Sequence, residues 1–280
     1  MLKIDFTRLR SEALPDIIRA FEECLNQMEI DYYLIGALAR DAWFQQEDIA
    51  SRRTADVDFA ILVPEREKFD DLKHFLSTEK GYVETKNNSF AMITPGGITV
   101  DILPFGSIEI DEEVNIANGH TQVATNGFRE IYQSALESFE SEDGDVRVKV
   151  ASLPGIVLLK LIAHGDRPEI RMKDPGDILE IFKHYFDLNT AFIFENHDNV
   201  FETEQTLEVI SARVIGREIG KIASGNSALY ARVLSYLNGE LEKRENSSLI
   251  RLMLRSEYGY NEEDIMLMLR NMAEGIEEIQ

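Results

Sequence analysis

The sequence predicts a mixed α+β or α/β domain, a mixed β-sheet with flanking helices, followed by a C-terminal helical domain. Two patterns carry that expectation. Through residues 1–150, short apolar runs rich in β-branched and aromatic residues alternate with helix-period segments. From Ser152 onward the pattern is helical with few strand signals, so the second domain spans residues 151–280. With 44% of 280 residues hydrophobic, the chain has ample material for the core of one or two domains.

The first helix is expected near Ala13–Met28. A strand at Tyr32–Ile35 follows, then a helix from about Leu38 to Gln46. The junction, Ile35-Gly36-Ala37-Leu38-Ala39-Arg40-Asp41, reads as strand, glycine hinge and helix start. Backbone N–H groups at such a start form a natural phosphate seat, and Gly36 lets the backbone come close. Many strand-to-helix connections carry a glycine for steric reasons alone. Arg40 falls in the first turn or two, where a cation opposes the helix dipole. It either binds phosphate or Asp56 and Asp58, or forms a surface ion pair.

Next comes Arg53-Thr54-Ala55-Asp56-Val57-Asp58-Phe59-Ala60-Ile61-Leu62-Val63. The β-branched run places Asp56 and Asp58 at the start of a buried strand, and the strand period of two points both carboxylates to one face. Packing gains nothing from two adjacent like charges. A divalent cation does, because Mg²⁺ takes oxygen ligands, typically one or two carboxylates plus substrate phosphates. The other reading of Asp-x-Asp is a turn or a solvated strand end.

After Pro64 a helix is expected over about Glu65–Ser77, with Phe69, Leu72, Phe75 and Leu76 at helical spacing. Short strands are expected at Tyr82–Thr85, Ser89–Thr94 and Ile98–Leu103, the last ended by Pro104 and Gly106. Asp101 lies inside that last strand among apolar neighbours. A charge there costs free energy unless it is paired or binds metal, or unless its side chain reaches water at a sheet edge. If its strand neighbours the Asp58 strand, the three carboxylates form one cluster suited to phosphoryl or nucleotidyl transfer. A β-rich stretch then runs to Val150, with Ser141-Glu142-Asp143-Gly144-Asp145 as a turn.

The helical region opens with Leu153-Pro154-Gly155-Ile156-Val157-Leu158-Leu159-Lys160-Leu161-Ile162-Ala163, which Ser152 is placed to cap. Lys160, the one charge in this run, either snorkels to the surface or faces an anionic site. In Met172-Lys173-Asp174-Pro175-Gly176-Asp177-Ile178 the pattern is that of a helix start, with Asp174 at the N-cap, Pro175 at N1 and Asp177 at N3. Arg167, Arg171 and Lys173 make the intervening loop basic, the best candidate in the chain for holding polyphosphate or an RNA backbone. Amphipathic helices are expected at Glu204–Lys221, Ala228–Glu242 and Glu262–Glu274, their apolar spacing reading as core or partner surface.

Charge and composition limit the function classes. The net charge is −22, with −14 in residues 1–150 and −8 in the remainder. A chain this acidic is a poor general nucleic-acid binder, so no DNA partner is expected and RNA would need a local basic patch. His74, His120, His164, His184 and His197 lack metal-ligand spacing, which argues against zinc. The single cysteine, Cys24, reads as a buried apolar residue. No signal core or membrane-length apolar run is present, so the expectation is a soluble protein of bacterial cytoplasm without a membrane partner.

The series Ile35 to Asp41, Arg53 to Ala60 and Val100-Asp101-Ile102-Leu103-Pro104-Phe105-Gly106 resembles the AbiEii-type nucleotidyltransferases, within the DNA-polymerase-β-like superfamily. Ser152 to Gly155, Leu159-Lys160-Leu161, Asp166-Arg167 and Lys173 to Ile178 continue the resemblance in order, so it spans roughly residues 30–186. It implies that Gly36 and its helix start cradle an NTP triphosphate. It also implies that Asp56 and Asp58 bind Mg²⁺ and that Asp101 completes the cluster and orients the acceptor hydroxyl. By the same resemblance Lys160 stabilises phosphate charge and Asp174 is a further active-site carboxylate. Ala37, Arg40, Arg53, Arg167 and Lys173 join Gly36 and Lys160 as the candidate nucleotide-binding set. Ala37 departs from the superfamily, which often has Ser or Thr directly after the glycine, so one hydroxyl contact to phosphate is lost. Family members include toxins of bacterial toxin–antitoxin pairs, some resembling enzymes that add nucleotides to tRNA ends. The acceptor expected is therefore RNA, with an antitoxin protein as a possible partner; a small-molecule acceptor and a non-catalytic nucleotide- or antitoxin-binding protein are the alternatives.

Overall fold

The computed structural model describes residues 1–279 except 7, 10–12, 51–55, 110–112, 117–120 and 258. The chain divides into two units, Met1–Ser152 and Leu153–Gln280. The first contains, in order, β1 (Leu2–Ile4), α1 (Leu14–Met28), β2 (Tyr32–Ile35), α2 (Gly36–Phe44), β3 (Val57–Val63), α3 (Arg66–Lys80) and β4 (Val83–Glu84). Then come β5 (Ala91–Ile93), β6 (Thr99–Gly106), β7 (Glu113–Ile116), β8 (Thr121–Ala124), α4 (Phe128–Ser134), β9 (Leu136–Ser141) and β10 (Arg147–Ala151).

Among the described residues, β7 and β8 pair only with each other, and the other strands form one mixed sheet in the order β1-β9-β10-β2-β3-β6-β5-β4. β3 lies near its middle, antiparallel to β2 and parallel to β6. That position explains its apolar composition, because both of its faces are covered. Phe59 meets Phe21 of α1 at 4.7 Å and Tyr32 at 5.5 Å, whereas Tyr33 meets Phe105 at 5.8 Å on the opposite face. Cys24 is buried in α1, and burial pushes its thiol pKa up to about 11.

Several elements differ from the sequence expectation, each for a physical reason. β6 runs through Pro104 to Gly106 instead of stopping before them. Ile102 N–H donates to Phe90 O at the β5 side, and Pro104 lies two residues on, past the last β5 pairing at Ala91↔Asp101. A missing N–H on that side therefore breaks no ladder bond. β1 is a three-residue strand whose pairing with β9 has no local signal. The acidic turn does join β9 to β10, closed by Ser141 N–H to Val146 O at 2.9 Å.

The second unit is helical: α5 (Leu153–Asp166), α6 (Asp174–Leu188), α7 (Thr190–Asn196), α8 (Leu207–Ala223), α9 (Ser227–Lys243), α10 (Ser248–Ser256) and α11 (Glu262–Glu277). Thr206, Asn226, Ser247 and Asn261 cap α8 to α11 with their side chains, and Asn261 and Asp264 form a capping box. No helix among the described residues is long and apolar enough to cross a membrane.

Glycines bring α8 and α11 together. A Cβ on Gly216 would lie 2.1 Å from Met272 O, and one on Gly275 would lie 2.2 Å from Arg213 O. Arg213 and the buried Arg217 then pair with Glu278 at 2.6 and 2.5 Å, and the more exposed Arg213 pair contributes at most about 1 kcal/mol. Backbone contact is the larger effect. Gly216→Ala should lower stability by about 2 kcal/mol, an overpacking cost of about 3 kcal/mol less the gain of about 1 kcal/mol in helix propensity. Urea unfolding checks this, and an unchanged midpoint would show that the two helices can separate without cost.

Candidate active site

β2, β3 and β6 bring three of the sequence-predicted residues together. Ile35 is opposite Asp58 across β2 and β3, and Asp58 is opposite Asp101 across β3 and β6. Parallel neighbours in register point their side chains to the same face, so the two carboxylates are adjacent. Directly after Ile35, Gly36 starts α2 with φ +73°, a region that side chains disfavour. A Cβ there would also sit 2.1 Å from Asp58 Oδ2. Glycine is thus required twice over, by backbone angle and by the carboxylate packed against it. The first N–H groups of α2 lack intrahelical partners by geometry, so the helix start and Asp58 form a polar corner where strand turns into helix.

Asp101 has a contact with no sequence signal. Asn88, in the loop between β4 and β5, donates from Nδ2 to Asp101 Oδ1 at 3.3 Å. Asn88 falls between the strands expected at Tyr82–Thr85 and Ser89–Thr94, where nothing local assigns it a role. Sheet pairing is what delivers it to Asp101.

Other predicted residues are placed differently. Asp56 is exposed and precedes β3, which begins at Val57. Among the described residues, no three His, Cys, Asp or Glu side chains form a group able to hold a metal ion. Asp58 and Asp101 make a pair rather than a closed triad. A pair of hard oxygen donors beside a helix start still fits Mg²⁺, which usually takes one or two carboxylates and completes its shell with water and phosphate. Ala37, in the first turn of α2, offers only its backbone. Arg40 is 2% exposed, with Nη2 2.6 Å from Asp41 Oδ1 and its guanidinium over Phe44 at 5.5 Å. Its charge is engaged inside the domain, and neither a surface pair nor an open phosphate clamp describes it. Arg53 lies outside the described residues.

In the helical unit, Lys160 of α5 is buried, with Nζ 2.9 Å from Asp174 Oδ1 and 2.8 Å from Asp177 Oδ2. Arg171 Nε takes Asp174 Oδ2 at 2.8 Å. This corrects the capping expectation: the N-cap of α6 is Lys173, no side chain caps it, and Asp174 is already helical. The two carboxylates turn to Lys160 because a buried lysine needs them more than the helix end does. Arg167 and Lys173 are exposed in the loop, next to the exposed Ile170 and Met172. His164, one turn after Lys160, is fully buried with Nδ1 2.5 Å from the Tyr236 hydroxyl, and burial lowers its pKa.

Removing Lys160 tests the buried group. Lys160→Met removes the buried ammonium shared by Asp174 and Asp177, leaving Asp174 with Arg171, and should cost about 3 kcal/mol in urea unfolding. A loss below about 1 kcal/mol would mean that Asp174 and Asp177 find solvent without it.

A family model described as nucleotidyl transferase AbiEii toxin, type IV toxin–antitoxin system, matches residues 25–255. No curated protein matches the chain. Among solved structures, an antigenic nucleotidyltransferase-like protein from Paracoccidioides brasiliensis is similar at 16% identity and a TM-score of 0.39, over 68% of this chain and 91% of that one. The antibiotic-resistance factor ANT(2'')-Ia is similar at 16% identity and a TM-score of 0.37, over 77% of this chain and 95% of that one. With the family match covering most of its length, the chain belongs to the AbiEii nucleotidyl transferase toxin family and is a nucleotidyltransferase.

Proposed function

We propose that this nucleotidyltransferase moves a nucleoside monophosphate from an NTP to a hydroxyl of an RNA acceptor of the tRNA kind, with Mg²⁺, in the bacterial cytoplasm, as the toxin of a toxin–antitoxin pair. The observation that carries the chemistry is the register pair Asp58 and Asp101 beside Gly36. Family membership supports the reaction class and the toxin role. The RNA acceptor is supported by the exposed Arg167 and Lys173, local cations on a chain of net charge −22.

Asp58 and Asp101, with Asp56 from the segment before β3, would hold the Mg²⁺, which when bound neutralises phosphate charge. The chain's own groups do the rest. Backbone N–H groups at the start of α2 seat the phosphates, and with Ala37 in place of a hydroxyl residue they do so without side-chain help. Asp101 orients the acceptor hydroxyl and takes its proton. The acceptor oxygen bonds to the α-phosphorus as the bond from that phosphorus to the bridging oxygen breaks, and pyrophosphate leaves. Nearly all of the rate enhancement is positioning and electrostatics.

Offering the purified protein each α-labelled NTP with Mg²⁺ and total bacterial RNA tests the reading. Label should enter a tRNA-sized band and fall about a hundred- to a thousandfold in Asp58→Asn. Undiminished label in that variant would remove the assigned site, and no label on RNA with any NTP would remove the RNA acceptor.

A further inference from the structure

The helical unit contains a cavity of about 480 Å³, walled mainly by α5 and α9 and within the usual size range of small-ligand sites. Leu161 of α5 and Val233 of α9 give it apolar walls, and the Tyr236 side chain lines it beside them. Four charged residues line it as well, and they pair with one another: Asp166 with Arg232, and Glu240 with Lys243 at 2.5 Å. Glu240 also accepts from Ser247 Oγ at 2.7 Å and from Leu249 N–H at 3.3 Å. The charges of the lining cancel, so the cavity suits an uncharged ligand.

His164 is the polar group left over in this wall. Burial lowers its pKa, so its ring is neutral near pH 7. Nδ1 lies 2.5 Å from the Tyr236 hydroxyl, whereas the buried Nε2 has no hydrogen-bond partner among the described residues. A neutral imidazole carries one N–H. With that proton on Nδ1, donated to Tyr236, both the Tyr236 O–H and the Nε2 lone pair would go unpaired. With Tyr236 donating to Nδ1, only Nε2–H is left over, so this tautomer costs less. What the wall lacks is one acceptor for a buried N–H.

Gly239 of α9 also lines the cavity. It sits inside the helix, where glycine is a weak former, and its φ is not positive. A Cβ on Gly239 would meet nothing within 4 Å, whereas one on Gly165 would lie 3.1 Å from the Tyr236 ring. Neither backbone angle nor packing requires glycine at 239, and a side chain added there has room to enter the cavity.

We infer that this cavity binds a nucleobase, whose ring carbonyl accepts from His164 Nε2–H. Uracil, cytosine and guanine are flat, uncharged and carbonyl-bearing, which matches apolar walls, cancelling charges and a single unmatched donor. The choice among such molecules rests on the proposed function, because that reaction brings both an NTP and an RNA to the chain.

Calorimetric titration of the full chain with uridine, which has the carbonyls and no phosphate, tests this without turnover. Its Kd should be on the order of 0.1–1 mM. No binding would overturn the inference and leave the cavity to solvent. Nitrogen NMR of the wild-type His164 ring should find the proton on Nε2 and a shift on adding uridine; an unmoved resonance would overturn the inference. Gly239→Leu fills the cavity and should abolish uridine binding with the melting temperature unchanged or higher. Wild-type affinity in that variant would place uridine elsewhere and overturn the inference. In the transfer assay Gly239→Leu should raise KM about tenfold for the reactant that supplies the base, RNA or NTP, at unchanged kcat. Unchanged KM for both would overturn the inference. Asp58→Asn separates the two levels, since it should abolish transfer and leave uridine binding as in wild type. Transfer to RNA by a wild-type chain that ignores uridine would overturn the inference alone. Uridine bound in the cavity of a wild-type chain that transfers nothing would overturn the proposed function alone.

Discussion

Everything in the candidate site depends on one register, the parallel pairing of β3 with β6 that sets Asp58 opposite Asp101. Neighbouring strands lie about 4.8 Å apart, so two ionised carboxylates at that spacing repel by about 3 kcal/mol at an effective dielectric near 20. A slip of one residue would send one of them to the other face and abolish the repulsion. The sheet instead keeps them together, and Gly36 gives up its side chain so that Asp58 fits against the start of α2. Two carboxylates held on one face at a strand-to-helix corner are an arrangement that cation-assisted nucleotidyl transfer uses.

Legibility in the sequence followed the range of the forces involved. Tyr32–Ile35 was readable to the residue, because a short β-branched and aromatic run ahead of a glycine has one good solution. The strands holding Asp58 and Asp101 were readable from their β-branched runs, but their bounds were not: β3 begins only at Val57, which leaves Asp56 exposed before it, and β6 runs on to Gly106. Pairing was not. Nothing local says that β5 stops where Pro104 needs it to, that β1 finds β9, or that Asn88 reaches Asp101. Those facts belong to the sheet as a whole.

Charges were the least legible feature. Asp174 and Asp177 sit where a helix start favours carboxylates, and local rules assign them to capping. The buried ammonium of Lys160 overrides those rules, since an interior charge without partners costs several kcal/mol and a missing cap about one. Arg40 follows the same logic in the first unit, drawn inward by Asp41. In both units a buried cation has an internal partner. The exposed cations of the helical unit's basic loop, Arg167 and Lys173, remain open to an outside polyanion.

The most direct test of the central claim is an anomalous-diffraction experiment on crystals grown with Mn²⁺ and a non-hydrolysable NTP analogue. The account predicts an anomalous peak within bonding distance of both the Asp58 and Asp101 carboxylates, with the analogue's phosphates at the N–H groups of Gly36 and Ala37. A peak elsewhere, or phosphates seated away from that helix start, would contradict it.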